Sequence, residues 1–422
     1  MNKCSCNNCN LEVFEDNDKC ILHCEKDKEF LTSVHLIKVY HECFYHFIKD
    51  ISNKRQRFFD EAGEDEKDLK EYEIKDFIFP DFKNKVCLDL DCDNNENKFA
   101  NIFSNITEKN IDVKFENCKF LGNFDLSKET INFNLIFNNC IFEENSSFEE
   151  TILNQKFELI DCQIKKLANF KQTKFYELAG FEKIKFKEVE FNSTTFKKGA
   201  FFNQTTFENE LNLEKTFFYE KVNFYKIECQ SIANRETARI IKDSFEKQNN
   251  IIEANKFYAL EMKEREKELE EDIKKGKNIF EWLVFKIHGL SSNHSQDWLL
   301  ALLWIISFTL LSVTIEKIFS SHIGLSDKCV VSFLIFSMIV ISNIYLANSK
   351  KVYYLIFIAI YFFIYLIFTE DLYLKYFSKT LNPFSLMQAN DPINGIELLY
   401  KIIIAYLIYQ LIISIRQNTR RK

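Results

Sequence analysis

The chain has 422 residues and a formal net charge of −7, with 55 Lys and Arg against 62 Asp and Glu. This mildly acidic balance gives no sign of a nucleic-acid partner, and we expect none. The composition combines 45 Phe with only 8 Gly and 3 Pro. Ordinary globular enzymes punctuate their loops with Gly and Pro. The sequence therefore favours one short unit repeated many times. We expect no enzymatic activity, because the sequence shows no paired catalytic groups, no phosphate-binding glycines and no open metal site.

The N-terminal segment, residues 1–28, is rich in cysteine. It begins with polar residues rather than the apolar core of a secretory signal, so we expect the thiols to be reduced. Four residues form a plausible tetrahedral zinc set at spacings of x4, x10 and x2: Cys4, Cys9, Cys20 and His23. A closed set of four protein ligands is structural rather than catalytic. The segment is too short to fold on apolar burial alone, and zinc would supply the missing stability.

Two alternatives remain open for this segment. Cys6 and Cys24 are rival ligands, since either can replace a neighbouring cysteine in the set. The segment can also be a partly disordered cysteine-rich tail that binds no metal.

Residues 29–76 are predicted to be a helix followed by an acidic loop. Apolar residues at helical spacing indicate a helix over about 29–58. We interpret it as a cap on the open edge of the repeat that follows, because a bare strand edge invites edge-to-edge pairing. His35, His41 and His46 lie on different faces of this helix, so we interpret them as ordinary helix residues rather than a second metal site.

Residues 77–232 contain a repeat with two periods. From Phe181 onward, Phe recurs at every fifth position through Phe201, which fits neither a helix nor a strand. Small or β-branched residues precede these Phe by two places. Triplets such as Phe115–Cys118–Phe120 also recur every 22 residues. Both periods predict a coil of four pentads, with the large residue in the centre and successive coils paired as parallel strands.

The predicted core of this solenoid is a set of phenylalanines, and cysteines inside the repeat are interpreted as core filler. The core set is Phe115, Phe120, Phe137, Phe142, Phe170, Phe175, Phe181, Phe186, Phe191, Phe196, Phe201 and Phe207. A 22-residue coil is longer than four pentads, so we expect one bulged corner in each turn.

The pentads resemble those of the pentapeptide-repeat family, whose units place Leu or Phe at the centre and a small residue two positions earlier. The resemblance covers about residues 77–232 and implies a right-handed quadrilateral β-helix. The N-terminal cysteines look like the short Cys/His knuckle of some bacterial members. Membrane-anchored bacterial members of the family also carry a helical hairpin after the repeat.

Residues 233–278 are predicted to form such a hairpin, with an apolar stripe on each helix and a solvated, charged end. We interpret the hairpin as a cap and a linker. In the next segment, residues 279–297, Trp282, His288, His294 and Trp298 at its border suggest an interfacial position, with aromatic rings at the depth of the lipid headgroups.

Residues 298–416 contain four apolar stretches, at about 298–318, 329–347, 352–369 and 396–415. Each is close to the length of about 20 residues that spans a bilayer core. In the last stretch Lys401 must extend towards an interface. Lys350 and Lys351 between the second and third stretches, and the basic tail at 417–422, place both termini in the cytoplasm by the positive-inside rule. We therefore expect a four-helix bundle in the inner (cytoplasmic) membrane, with lipid as a partner.

Three functions are compatible with this architecture to different degrees. The first is a protein-interaction scaffold for an unknown protein partner, with a homo-oligomer also open. The alternative is a membrane effector or channel-like pore that a partner gates through the solenoid. The sequence has no Thr-Val-Gly-Tyr-Gly filter, and we interpret Asn343, Gln410 and Ser414 as structural polar residues of the spans. The DNA mimicry of soluble relatives is disfavoured, because lysines offset the acidic residues of the repeat.

Overall fold

The computed structural model describes residues 3–6, 9, 11–15, 18–26, 35–36, 39–40, 42–44, 46–49, 71–80, 111–322, 324–347, 349–382 and 395–419. The chain divides into two compact units, Met1–Asn250 and Ile251–Lys422. The division falls between the two helices that were predicted as a hairpin. The loop at 61–70, the residue His41 and the basic residues 420–422 lie outside the described part.

The first unit is built from short strands. They are β1 (Glu71–Lys75), β2 (Ile78–Phe79), β3 (Asp112–Glu116), β4 (Lys119–Phe120), β5 (Phe124–Asp125), β6 (Thr130–Ile131), β7 (Asn134–Asn138), β8 (Ile141–Phe142), β9 (Ser146–Ser147), β10 (Ile152–Leu153), β11 (Phe157–Ile160), β12 (Gln163–Asn169), β13 (Lys174–Phe175), β14 (Ala179–Glu182), β15 (Lys185–Glu190), β16 (Thr195–Phe196), β17 (Ala200–Phe201), β18 (Thr206–Asn212), β19 (Phe217–Phe218), β20 (Val222–Asn223) and β21 (Glu228–Ile232).

These strands wind into a parallel β-solenoid of about six turns. One seven-stranded sheet has the order β1-β3-β7-β11-β14-β17-β20, and a five-stranded sheet has the order β19-β16-β13-β10-β6. The third sheet follows β2-β4-β8-β12-β15-β18-β21, with β5 and β9 beside the second half of β12. This third sheet supplies two faces of the coil, so the solenoid has the four sides that the pentads predicted.

The corner between those two faces is bulged, as expected for a coil longer than four pentads. The register shifts between Ile164 and Leu167 in β12, and β15 and β18 shift at the equivalent place. Equivalent residues in successive coils are 22 residues apart in most turns and 21 in one. Between the first two described coils the offset is 41 residues.

Phenylalanine rings fill the interior in columns that run along the solenoid. Phe120 stacks between Phe79, with ring centroids 4.7 Å apart, and Phe142, at 4.6 Å. The predicted core phenylalanines are buried, with the exception of Phe201. Phe201 is only partly buried, and Phe202 lies inside instead, stacked 4.8 Å from Phe181. This corrects the predicted core, because six residues rather than five separate Phe196 from Phe202, and Phe201 takes the position that pairs with Gly180.

The small residue two places before a central residue donates a hydrogen bond as well as filling space. Cys140 Sγ donates to Phe115 O at 3.3 Å, and Thr173 Oγ1 donates to Phe148 O at 2.6 Å. Thr205 Oγ1 makes the same bond to Phe181 O at 2.7 Å. Cysteine and threonine are thus both used at these corners, because each offers a short donor to a buried carbonyl of the previous coil.

Two corners of each coil adopt left-handed backbone conformations without glycine. Positive φ angles recur at the coil spacing in the following residues: Asp76, Asn117, Lys128, Asn139, Glu150, Asp161, Gln172, Lys183, Ser193, Gln204, Lys215 and Lys226. Asn and Asp tolerate this region better than other non-glycine residues. The corners explain how a chain with little Gly can still turn at short, regular intervals.

The N-terminal edge of the solenoid begins earlier than predicted and is covered by helix. Tyr72 and Ile74 in β1 point into the interior and are 3% and 0% exposed, so the acidic residues from Glu71 onward belong to the first coil. The described residues between 35 and 49 are helical. From this helix, Tyr40 and Phe44 pack edge-on against Phe79, at 6.0 and 5.2 Å between ring centroids. The helix caps the first coil, as predicted.

The opposite edge is covered by helix α1 (Arg235–Lys247). Asn234 caps its start by accepting from Thr237 N at 2.9 Å, and Thr237 Oγ1 accepts from Leu213 N at 2.9 Å. Ser244 Oγ donates to Val222 O at 2.9 Å. These bonds satisfy strand-edge groups of the last coil that would otherwise be unpaired.

The second unit is helical. It contains α2 (Ile251–Lys274), α3 (Ile279–Ser292), α4 (Trp298–Ser320), α5 (Leu325–Ala347), α6 (Val352–Thr369), α7 (Lys375–Leu381) and α8 (Gly395–Thr419). Four helices are long and apolar enough to cross a membrane: Trp298–Ser320, Leu325–Ala347, Val352–Thr369 and Glu397–Thr419. They agree with the four predicted spans. Helix α4 packs against α5, α6 and α8, so it forms the centre of the bundle.

Helix α3 has one apolar and one charged side. Phe280 and Val284 are 85% and 67% exposed, while Lys286 pairs with Glu266 and Glu270 of α2 at 2.6 and 2.8 Å. An exposed apolar stripe next to the first span is the pattern expected of a helix lying in a membrane interface.

Polar residues of the spans make hydrogen bonds to other helices of the second unit. Asn343 Nδ2 donates to Ser307 Oγ at 2.7 Å, and Tyr361 OH donates to Asn343 Oδ1 at 3.0 Å. Gln410 Oε1 accepts from Ser292 Oγ at 3.1 Å. Asn343 and Gln410 thus make the interhelical bonds predicted for them. Ser414 Oγ is buried and has no hydrogen-bond partner among the described residues.

Lys401 is buried in α8, with its side chain 7% exposed, and pairs with Glu397 at 3.0 Å. Glu397 lies one turn nearer the start of the helix. The charge of Lys401 is therefore balanced by a carboxylate near the start of α8. This agrees with the prediction that the Lys401 side chain extends towards one end of its span.

Candidate metal centre

The N-terminal segment brings its ligands together through short backbone links. Cys4 N donates to Leu11 O at 3.0 Å, which pairs two extended pieces of chain. A tight turn then follows, in which His23 N donates to Cys20 O at 3.0 Å. This turn places the side chains of Cys20 and His23 side by side, which is why a spacing of x2 suits two ligands of one ion.

The four predicted ligands form one cluster. The ligand atoms of Cys4, Cys9, Cys20 and His23 all lie within 4.8 Å of one another. Cys20 Sγ is 3.1 Å from His23 Nδ1 and 3.7 Å from Cys9 Sγ. Cys4 Sγ is 3.6 Å from His23 Nδ1, and Cys4, Cys20 and His23 are buried. The arrangement can hold a metal ion.

Hydrogen bonds orient two of the ligands from outside. His23 Nε2 lies 3.1 Å from Lys75 O in β1, which leaves Nδ1 directed at the cluster. Cys20 N donates to Cys4 Sγ at 3.2 Å. Metal-bound histidines commonly use their second ring nitrogen in this way, because the bond fixes the tautomer and the ring orientation.

The cluster is attached to the first coil of the solenoid. Ile78 N in β2 donates to Leu22 O at 3.0 Å, and the ring of Phe77 packs edge-on against His23 at 4.8 Å. Leu22 itself is fully buried. The metal centre and the helical cap therefore cover the same end of the solenoid, which the sequence did not indicate.

The two rival ligands lie outside this group of four. Cys24 Sγ donates to Ile21 O at 3.7 Å and accepts from Lys26 Nζ at 3.5 Å, so its thiol has partners elsewhere. Cys6 is partly exposed and lies outside the group of four. His35 and His46 of the capping helix are exposed and are likewise not in the group.

Burial shifts the pKa values of two of the four ligands, His23 and Cys20. Desolvation lowers the pKa of His23, which favours the neutral imidazole that a metal requires. Desolvation also raises the pKa of the Cys20 thiol, so binding of a cation there must displace a proton.

The cysteines of the repeat are a separate set. Cys118, Cys140 and Cys162 are buried in successive coils and donate to backbone carbonyls, with sulfur-to-oxygen distances of 3.3 to 3.5 Å. Burial raises the pKa of the Cys140 and Cys162 thiols, which keeps them in the unreactive thiol form. They are part of the core, as predicted.

Compared with protein-family models, with curated proteins and with solved structures, the chain has no significant match in any of the three.

Proposed function

We propose that this protein is a membrane-anchored member of the pentapeptide-repeat family that acts as a non-enzymatic interaction scaffold at the cytoplasmic face of the membrane. The observation that carries the proposal is the joining, in one chain, of a Phe-filled β-solenoid to four apolar helices of membrane-spanning length. Because aromatic rings fill the interior of the solenoid, its outer faces are the surfaces available for recognition.

The test is site-specific photocrosslinking in the native membrane. A photoreactive residue is placed at one outward position on each face of the solenoid in the full-length protein. The scaffold proposal predicts crosslinks to a defined protein from one face and far fewer from the others. Equal, weak labelling from all faces would contradict it.

The metal of the centre is proposed to be a structural zinc ion. Zn–S bonds of about 2.3 Å and Zn–N bonds of about 2.0 Å in a tetrahedral site require S–S separations of about 3.8 Å and S–N separations of about 3.5 Å. The distances of 3.7 Å between Cys9 and Cys20 and of 3.6 Å between Cys4 and His23 suit these values, while the distance of 3.1 Å between Cys20 and His23 is shorter. A site with four protein ligands leaves no position for a reactive water, so its role is to hold the N-terminal segment on the first coil.

The second candidate function is a membrane effector whose spans conduct ions when a partner binds the solenoid. It is supported by the number of spans, since an anchor needs only one. The mutual hydrogen bonds of Asn343, Ser307 and Tyr361 support the scaffold instead, because these polar side chains are occupied inside the bundle. Ion flux from dye-loaded liposomes containing the full-length protein separates the two: a scaffold leaves the liposomes tight, whereas a conducting effector discharges them.

A further inference from the structure

The described solenoid exposes five large apolar side chains: Tyr176, Leu178, Phe217, Tyr219 and Tyr225. Across residues 111–232, the exposed ones begin at Tyr176 and lie in the last three coils. Four of them lie near one corner: Tyr176 is 42% exposed, Leu178 44%, Phe217 57% and Tyr219 65%. With the partly buried Phe201, they are called the aromatic patch here.

The patch interrupts a polar pattern on the five-stranded sheet. In the earlier coils of this face, Asn154 Nδ2 donates to Asn132 Oδ1 at 2.8 Å, which is the ladder expected of a solvated face. In the last three coils the equivalent positions are Tyr176, Lys197 and Tyr219, because Phe175, Phe196 and Phe218 pair in register just before them.

Side chains in the patch lie along the surface. Lys197 Nζ is 3.7 Å from the centroid of the Tyr219 ring. Around Gly199, a Cβ would be 3.3 Å from Leu178 and 3.1 Å from Phe201, so both side chains close over the glycine. The result is a flat apolar surface that crosses from the five-stranded to the seven-stranded sheet.

The charges around the patch are mainly positive. Lys174, Lys197 and Lys221 have no carboxylate at ion-pair distance among the described residues. Glu220 is paired with Lys198 at 3.4 Å, which leaves Glu177 as the acidic residue beside Tyr176.

We infer that the aromatic patch is the site at which the solenoid binds a segment of another protein that carries acidic side chains around apolar anchors. Aromatic side chains are enriched in protein interfaces and supply most of the binding energy there. The unpaired lysines at its margin select for negative charge by electrostatic complementarity. The inference rests on the proposed scaffold function and assigns the face that this function uses.

Two other occupants fit the surface less well. A second copy of the chain, docked patch to patch, would set the marginal lysines against one another. An anionic membrane surface would suit the lysines, but membrane insertion needs apolar side chains that project, and Leu178 and Phe201 lie down over Gly199.

The test uses the full-length protein in phosphatidylcholine nanodiscs and two short fluorescent peptides. Both contain two Phe residues; one surrounds them with Glu and Asp, and the other with Lys. We expect the acidic peptide to bind at least about tenfold more tightly. The triple variant Lys174→Glu, Lys197→Glu, Lys221→Glu is expected to reverse that preference, and Phe217→Ser with Tyr219→Ser to weaken both peptides.

The matched control is the double variant Lys185→Glu, Lys187→Glu, which changes exposed lysines on another sheet and is expected to leave the peptide preference intact. Equal binding of both peptides, or an equal effect of the control, would overturn the inference. So would protection of Tyr176 and Tyr219 from hydroxyl-radical labelling when phosphatidylserine replaces part of the lipid, because that result assigns the patch to the membrane. A crosslinked partner found on a different face would refute the patch but keep the scaffold function.

Discussion

Phe201 and Phe202 are neighbours in the chain with opposite environments. Phe202 is fully buried and stacks on Phe181 and Phe224, at 4.8 and 5.1 Å between ring centroids, whereas Phe201 lies partly at the surface. The register of a solenoid is therefore set residue by residue. A single added residue in a coil moves the next side chain from one side of the wall to the other.

Phe202→Ala is expected to destabilise the solenoid by about 3–5 kcal/mol, because it removes a buried ring and leaves a cavity. Phe201→Ala is expected to cost less than about 1 kcal/mol, as for most changes near the surface. Thermal unfolding of the full-length protein in mild detergent, followed by the β-sheet circular dichroism signal, gives the comparison. Equal losses for the two variants would contradict the assigned register.

The metal centre offers a matched pair of cysteines. Cys20→Ser is expected to reduce bound zinc from about one ion per chain to near zero, because one of four ligands is lost. Cys24→Ser is expected to keep the ion, because the Cys24 thiol faces Ile21 O. Elemental analysis of the purified variants measures this. Loss of zinc from the Cys24 variant alone would show that the ligand set is wrong.

For single residues, the sequence predicted which types of side chain form the metal cluster and the core better than it predicted which exact position is buried. The spacing of Cys20 and His23 was sufficient to propose adjacent ligands, because a tight turn brings such residues together. The core position was assigned to Phe201 instead of Phe202, since a strict period of five misses the six-residue step from Phe196 to Phe202. The hydrogen bonds of Cys140 and Thr173 were also missed, because smallness alone accounted for those positions.

At the scale of the element, the corners of the solenoid show how a coil can close with little glycine. Lys183 has a φ of 54° and lies between β14 and β15, where it is exposed and forms no ion pair with any of the described residues. A left-handed conformation costs an ordinary L-residue about 1–2 kcal/mol. The regular coil spacing of these corners indicates that coil closure outweighs that local cost at each turn.

Lys183→Gly is expected to stabilise the solenoid by a few tenths to about 1 kcal/mol, because glycine adopts positive φ without a steric penalty. Lys185→Gly, in the adjacent strand, is expected to destabilise it by about 0.5–1 kcal/mol. The shift in the thermal midpoint of each variant gives the sign. A loss of stability in the Lys183 variant would show that the corner is not strained.

Within the helical bundle, Asn343 forms hydrogen bonds with Ser307 and Tyr361 on two neighbouring helices. Asn343→Ala is expected to lower the stability of the bundle by about 1 kcal/mol, since hydrogen bonds between membrane helices contribute about that much. Ile341→Ala, at a position 67% exposed on the same helix, is the control and is expected to have a smaller effect. Thermal aggregation in detergent compares them, and the reverse order would contradict a structural role for Asn343.

At the scale of elements, the sequence predicted the repeat and the four spans because both are periodic over many residues. The left-handed corners were not predictable, since residues as different as Lys183, Gln204 and Ser193 occupy them. The first strand was also missed, because Glu71 and Glu73 flank the inward residues Tyr72 and Ile74 and give the segment an acidic appearance.

The whole chain folds into two compact units that differ in structure. The first has a solenoid with both ends covered, by the metal centre and helix at one edge and by α1 at the other. Covered edges keep a β-solenoid from pairing end to end with another copy. The second has four helices suited to a bilayer. Under the proposed scaffold function, the outer faces of the solenoid are the surface available for recognition.

The most direct test of the scaffold account replaces the four spans by a single transmembrane helix of the same orientation and repeats the photocrosslinking from the solenoid. If the solenoid does the binding and the spans only anchor it, the same crosslinked partner must appear with both anchors. If the crosslinks disappear when the four-helix bundle is removed, the spans take part in recognition or effect, and the scaffold account is wrong.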